Sequence, residues 1–145
     1  MPQRKTLGHH PPDWVGAGAV FFITICTHPR GENQLCNLET AQGIFEAIAH
    51  RQNNHHWHCR LCLLMPDHLH ALISFPPQQS MQRVVSNFKE HAAKRSGINW
   101  QRDFFDHRIR DSDGLQLKAD YIRQNPVRAK LTNDAKTWPY VWESK

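Results

Sequence analysis

A chain of 145 residues, 39% hydrophobic and 21% charged, has the length of one domain with a substantial core. No apolar run approaches the roughly 20 residues of a membrane span, and "MPQRKTLGHHPPDW" lacks the apolar stretch of a secretory leader, so a cytoplasmic address is the expectation. The formal charge of +5 is concentrated: residues 82–130 hold eleven Lys/Arg against six Asp/Glu while the remainder balances, a distribution that suits a polyanion-facing surface.

Residues 1–18 read as a polar N-terminal arm and 19–145 as a single domain. "AVFFITICT" (19–27) is β-branched and aromatic, hence a strand. After a polar loop, residues 38–52 place Ile44, Phe45 and Ile48 at helical spacing. "HWHCRLCLLM" (56–65) and "HLHALISF" (68–75) are strands joined at "PD" in a tight hairpin. Cys59 and Cys62 form a CxxC within the first of these. Positions three apart on a strand face opposite ways, which argues against a shared metal or a disulfide.

"PPQQ" then breaks the chain, and Ser80 is a suitable N-cap for a helix carrying Met81, Val84, Val85, Phe88 and Ala92 on one face. Residues 98–109 are predicted as a fourth strand, and 112–125 as a helix ended by Pro126. Trp138, Tyr140 and Trp142 in the closing tail are expected to pack on the core. The order β-α-β-β-α-β predicts an α+β, ferredoxin-like antiparallel sheet with helices on one face, plus a C-terminal helix.

Two features carry chemistry. His68 and His70 alternate with Leu69 on a strand and so share a face, a natural pair of metal ligands. On the last helix Leu115, Ala119 and Ile122 form a narrow core stripe, while Tyr121 and Asn125 lie together away from it. If this helix face docks beside the histidines, Asn125 can offer an oxygen as third ligand and Tyr121, one turn back, can attack phosphorus; the sequence is compatible with that approach without establishing it. Tyr140, the only other tyrosine, reads as structural.

"MPDHLHALI", "WQRDFFDHRIR" and "YIRQNPVRAKL" resemble the signatures of the REP-associated tyrosine transposases, in the HUH (His-hydrophobe-His) single-tyrosine superfamily. "FFITICTHPR" and the "FK" of "SNFKEHAAKR" are similar as well, so the resemblance spans about residues 19–142. It implies a ferredoxin-like fold and metal-dependent nicking and rejoining of single-stranded DNA at short palindromic, REP-like hairpins. By that resemblance His68, His70 and Asn125 are metal ligands, and Tyr121 is the nucleophile of a 5′-phosphotyrosine with a free 3′-hydroxyl. Magnesium or manganese suits a phosphate oxygen, and no nucleotide cofactor is required.

Lys89 in "FK" and Arg128 in "NPVR" are the first candidates for DNA contact, followed by Arg95, Arg108, Arg110 and Arg123. Trp100 and Phe104 are assigned to the core. The common family form is "MPNHVH"; here Asp67 replaces the asparagine, read first as a turn former and second as a hydrogen-bond partner of a histidine. The expected partner is a DNA hairpin, with no membrane, and the state is monomer or homodimer. Two other readings stay open: a hairpin-binding protein without the chemistry, and a metal-dependent hydrolase or zinc protein using the histidine-rich 55–70 stretch.

Overall fold

The computed structural model describes residues 14–15 and 18–144, so the polar arm expected over 1–18 lies almost wholly outside the described residues. Strands β1 (Val20–Cys26), β2 (His58–Met65), β3 (His68–Ser74), β4 (Phe105–Ile109) and β5 (Val141–Glu143) form one sheet in the order β4-β1-β3-β2-β5. All neighbours in it are antiparallel. Helices α1 (Leu38–Asn53) and α2 (Met81–Ser96) link the strands, and α3 (Ser112–Arg128) follows β4. The first four strands and two helices are the predicted β-α-β-β-α-β order.

The central strands β1, β3 and β2 divide their side chains between two apolar layers. Ile23, Ile25, Leu69, Ala71 and Ile73 face α1 and α2, meeting Ile44, Ile48, Val85 and Phe88 in the main core. Val20, Phe22, Leu61, Leu63 and Leu72 face the other way, where α3 lays down its predicted stripe of Leu115, Ala119 and Ile122. Covering both faces explains why β2 and β3 read as nearly unbroken apolar runs.

Helix starts follow side-chain caps. Asn37 accepts from the Thr40 N–H at 2.9 Å, Ser80 from Arg83 and Asp111 from Gly114 at 2.7 Å. α2 stops at Gly97, whose φ of 71° is the left-handed conformation that glycine tolerates best.

Four details depart from the sequence-based expectations. The fourth strand begins at Phe105, not near 98, because the Lys89 ammonium takes the carbonyls of Gln101, Arg102 and Asp103, at 2.8, 3.0 and 3.4 Å. Trp100 keeps only an isolated bridge to Thr27.

Next, α3 passes through Pro126 and ends at Arg128. A proline so near the end forfeits one intrahelical bond, and the following N–H groups of Ala129 and Leu131 still close on the carbonyls of Asn125 and Pro126. Third, a bulge between Cys59 and Leu61 shifts the register, so that Cys59 and Cys62 lie opposite Ile73 and Ala71 and share the main core after all. All four cysteines are free thiols. Finally, the aromatic tail packs as expected and also adds β5 on the outer edge of β2, pairing Leu61, Cys62 and Leu63 with Glu143, Trp142 and Val141. Among the described residues no helix is long and apolar enough to cross a membrane.

Candidate active site

The β2–β3 hairpin and the register of β1 set the histidines. Cys26 lies opposite His68 and Thr24 opposite His70, both on the face covered by α3. The two ring centroids are 4.8 Å apart. Each ring has its Nδ1 engaged. His70 Nδ1 is 2.9 Å from Thr24 Oγ1, and His68 Nδ1 is 2.8 Å from Asp67 Oδ1. Asp67 is fixed in turn by Arg30 Nε at 2.9 Å and the Gly31 N–H at 2.8 Å. Its backbone carbonyl accepts from both the N–H and the hydroxyl of Thr27. Asp67 is thus both a turn residue and a partner of His68. Burial alone would raise its carboxyl pKa, but the donors from Arg30, His68 and Gly31 outweigh that and hold it well below the usual carboxylate range.

His70 is 9% exposed and stacks on Phe22, centroid to centroid 5.1 Å. Burial pushes its pKa down to about 3, helped by the neighbouring His68 and by the cations Arg128 and Lys118. His70 is therefore neutral at physiological pH, the form that ligates metals. Among the described residues no group of three or more His, Cys, Asp or Glu side chains is arranged to hold a metal ion. The pair fits two positions of a divalent cation, with both Nε2 atoms free of hydrogen-bond partners among the described residues. Remaining positions fall to an amide oxygen, water or substrate.

α3 supplies the rest. Lys118, Tyr121, Asn125 and Arg128 recur at i, i+3, i+7 and i+10 and so make one stripe beside the Ile122 stripe. The Arg128 guanidinium lies over the Tyr121 ring at 3.9 Å and donates to the Tyr121 carbonyl at 2.6 Å. It also reaches Asn125 Oδ1 at 3.4 Å. The Lys118 ammonium lies 5.2 Å from the centre of the Tyr121 ring and 4.7 Å from that of Phe22, the ring stacked on His70. A continuous path of contacts therefore runs from the histidine pair through Phe22 and Lys118 to Tyr121.

Residues 22–125, from that Phe22 to that Asn125, match the family described as Transposase IS200 like. The chain belongs to the IS200-like transposase family. The chain is 29% identical over 144 residues to a Haemophilus influenzae protein named as a candidate REP-associated tyrosine transposase, with 85% of this chain and 78% of that one covered. It is 25% identical over 127 residues to the REP-associated tyrosine transposase of Escherichia coli K12, covering 85% and 75%. In fold it resembles a solved REP-associated tyrosine transposase bound to a REP hairpin, with TM-score 0.76 and 23% identity over 86% of this chain and 76% of that one. A candidate transposase structure from Deinococcus radiodurans is more distant, at TM-score 0.53 and 17% identity over 72% and 89%.

The basic residues singled out in the sequence divide. Arg128 lies on Tyr121, and Arg108 and Arg110 line an open cleft beside it. Lys89, expected at DNA, is instead 9% exposed and holds the segment before β4, because three carbonyls converge on its ammonium. Arg95 pairs with Glu46 at 2.7 Å, joining α2 to α1 on the far side of the sheet. Arg123 pairs with Glu143 and so clamps α3 to β5. Trp100 and Phe104 pack against the main core as expected. Sequence reading missed Lys118, Thr24, Phe22 and Arg30. The helical spacing to Tyr121 would have found Lys118; the other three depend on strand register and on a loop returning to the hairpin.

Proposed function

We propose that the protein is a metal-dependent transposase acting on single-stranded DNA, which nicks and rejoins strands at palindromic hairpins through a covalent link to Tyr121. The observation that carries this reading is the surroundings of Tyr121. Two cations, Lys118 and Arg128, lie against its ring, and Lys118 also lies over the Phe22 ring that stacks on His70 of the histidine pair. His68 and His70 would hold the divalent cation, with Asn125 as third ligand. Bound there, magnesium or manganese polarises the phosphodiester and spreads the charge that develops during displacement.

Tyr121 Oη attacks phosphorus as the P–O3′ bond breaks. The phenol gives up its proton as the Oη–P bond forms, and the departing 3′-oxygen takes one up. Lys118 and Arg128 hold the negative charge of the phosphate by charge-assisted contacts. The tyrosyl ester keeps the bond energy, so the freed 3′-hydroxyl of the same or another strand restores the phosphodiester without a nucleotide cofactor. Asp67 and Thr24 orient the imidazoles through their Nδ1 atoms. A hairpin substrate is supported by the REP hairpin bound to the structural neighbour.

The test is a covalent-adduct assay. Labelled single-stranded hairpins from the DNA flanking the coding sequence are mixed with protein and magnesium or manganese, then run on a denaturing gel. Label should travel with the wild-type protein and be lost in Tyr121→Phe and in His68→Ala/His70→Ala. Hairpins that bind in gel shifts but never form an adduct would transfer the assignment to the binding-only reading. An adduct surviving Tyr121→Phe would remove Tyr121 from the mechanism.

A further inference from the structure

The loop between β1 and α1 closes over the tight turn that joins β2 to β3. The N–H groups of Gln34 and Leu35 donate to the Pro66 carbonyl at 2.9 and 3.2 Å. Thr27 gives both its N–H and its hydroxyl to the Asp67 carbonyl, at 2.9 and 3.0 Å. On this fixed backbone the Asp67 carboxylate meets two donors at each oxygen. Oδ2 accepts from Arg30 Nε at 2.9 Å and from the Gly31 N–H at 2.8 Å, while Oδ1 lies 2.8 Å from His68 Nδ1 and 3.5 Å from Arg30 Nη2. Gly31 takes a φ of 91°, which glycine adopts without strain.

The guanidinium reaches both neighbours of His68. Its Nη1 lies 3.5 Å from Sγ of Cys26, which stands opposite His68 in the β1–β3 register, and its other two nitrogens face Asp67. Arg30 is 52% exposed at its side chain, so the ion pair adds little to stability. What a planar, two-point grip supplies is orientation.

That orientation decides where a proton sits. A carboxylate only accepts, so in the neutral His68 ring the hydrogen is on Nδ1 and Nε2 keeps its lone pair. His70 has no such constraint, because Thr24 Oγ1, 2.9 Å from its Nδ1, both donates and accepts. An asparagine at 67 would offer one oxygen and one NH2 group. Arg30 Nε and the Gly31 N–H converge on the Oδ2 position and would draw the amide oxygen there. The NH2 group would then face His68 Nδ1, which would accept, leaving hydrogen on Nε2, the atom a metal needs.

We infer that Arg30 is a positioning residue of the metal centre: its grip aims the Asp67 carboxylate at His68 Nδ1–H and so sets the His68 Nε2 lone pair before a cation arrives. The inference rests on the proposed role of His68 and His70 as metal ligands. It divides the pair, with His68 preset by Arg30 and Asp67 and His70 adjusting through Thr24.

Two measurements test it. Nitrogen NMR of the metal-free protein in mildly alkaline buffer shows which His68 nitrogen bears hydrogen, the signal being identified by its loss in His68→Ala. Manganese titration followed by electron paramagnetic resonance gives the affinity. Wild type should show the Nδ1–H form, Asp67→Asn the Nε2–H form and Arg30→Met a mixture. Both variants should bind manganese about 10-fold more weakly or worse, as expected when a ligating histidine loses its outer partner. Arg30→Lys returns the charge and one donor and should recover most of the affinity. Gln34→Ala frees the loop from the His28 carbonyl and the Asn99 N–H without touching Asp67, and should leave both readouts unchanged.

An Arg30→Met protein with the wild-type tautomer and affinity overturns the inference. So does an equal loss in Gln34→Ala, which would assign the effect to order of the loop. Failure of the metal reading looks different. Wild-type protein that binds no manganese, or a His68→Ala/His70→Ala variant that binds it equally well, removes the ligand pair and takes the inference with it.

Discussion

Ile122→Ala should release α3 from the sheet while leaving the rest of the fold in place. Ile122 is 0% exposed, set among Val20, Leu61, Leu63 and Leu72. Along α3 only it and Pro126 are buried, with Leu115 and Ala119 giving partial help. The truncation removes three methyl or methylene groups, about 2.4 kcal/mol of transfer free energy at ~0.8 kcal/mol each. If half of the roughly 80 Å³ vacated stays open, the cavity adds about 1 kcal/mol at ~24 cal/mol per Å³.

The sum, about 3.4 kcal/mol, is some 300-fold in the docking equilibrium at ~1.4 kcal/mol per decade. Ile122→Val should cost only about 1 kcal/mol. Amide hydrogen exchange reads the effect directly. Protection along 112–128 should fall by more than two decades in the alanine variant, while amides of β1 and β3 keep theirs. Unchanged protection in α3 would refute the claim that this side chain holds the helix. An equal fall everywhere would refute the claim that the helix docks as a separate unit.

Lys89→Met should cost about 2–3 kcal/mol in urea unfolding, because three carbonyls lose a charged donor in a buried site; a cost under about 0.5 kcal/mol would mean water replaces the ammonium freely. Asp67 is more acidic folded than unfolded, so its stabilising contribution is complete above the unfolded value near 3.9 and fades as pH falls. Asp67→Asn should therefore lose less Tm than wild type between about pH 5 and 3, and parallel curves would show that another carboxylate governs the acid limb. Burial pushes the Cys59 and Cys62 thiols up and that of Cys36 to about 12, so a thiol-alkylating reagent should modify Cys59 and Cys62 only at the rate of unfolding. Rapid labelling of either in the native protein would contradict their place in the core.

Local pattern made much of this legible. β-branched runs, caps at Ser80 and the Ile44/Ile48 spacing gave β1, α1 and α2, and the HLH alternation gave the shared face of His68 and His70. The separation of Tyr121 from the Leu115–Ala119–Ile122 stripe also survived into three dimensions. What failed depends on contacts between distant residues. Nothing near residue 98 says that carbonyls 101–103 will turn to an ammonium contributed by another element. The bulge at Arg60 reverses the facing of Cys59 relative to Cys62, and a bulge leaves no periodic trace. Pro126 is a helix breaker by rule and is tolerated here because only two helical residues follow it. Charge counting found the basic third of the chain, but neighbours decide which cations are spent, as Glu46 and Glu143 do for Arg95 and Arg123.

The placement of α3 on the sheet face opposite α1 and α2 also orders events in time. A nascent chain that has emerged through β4 already contains both imidazoles, with their Nδ1 partners Thr24 and Asp67 drawn from the same completed hairpin and first strand. Tyr121 comes later, on a segment whose seat is made by Leu61, Leu63 and Leu72 and whose clamp, Glu143, follows it in the chain. His68, His70 and their Nδ1 partners all precede β4 in the chain, so vectorial synthesis presents the imidazole pair before the helix that carries Tyr121 and before Glu143, the residue that clamps that helix.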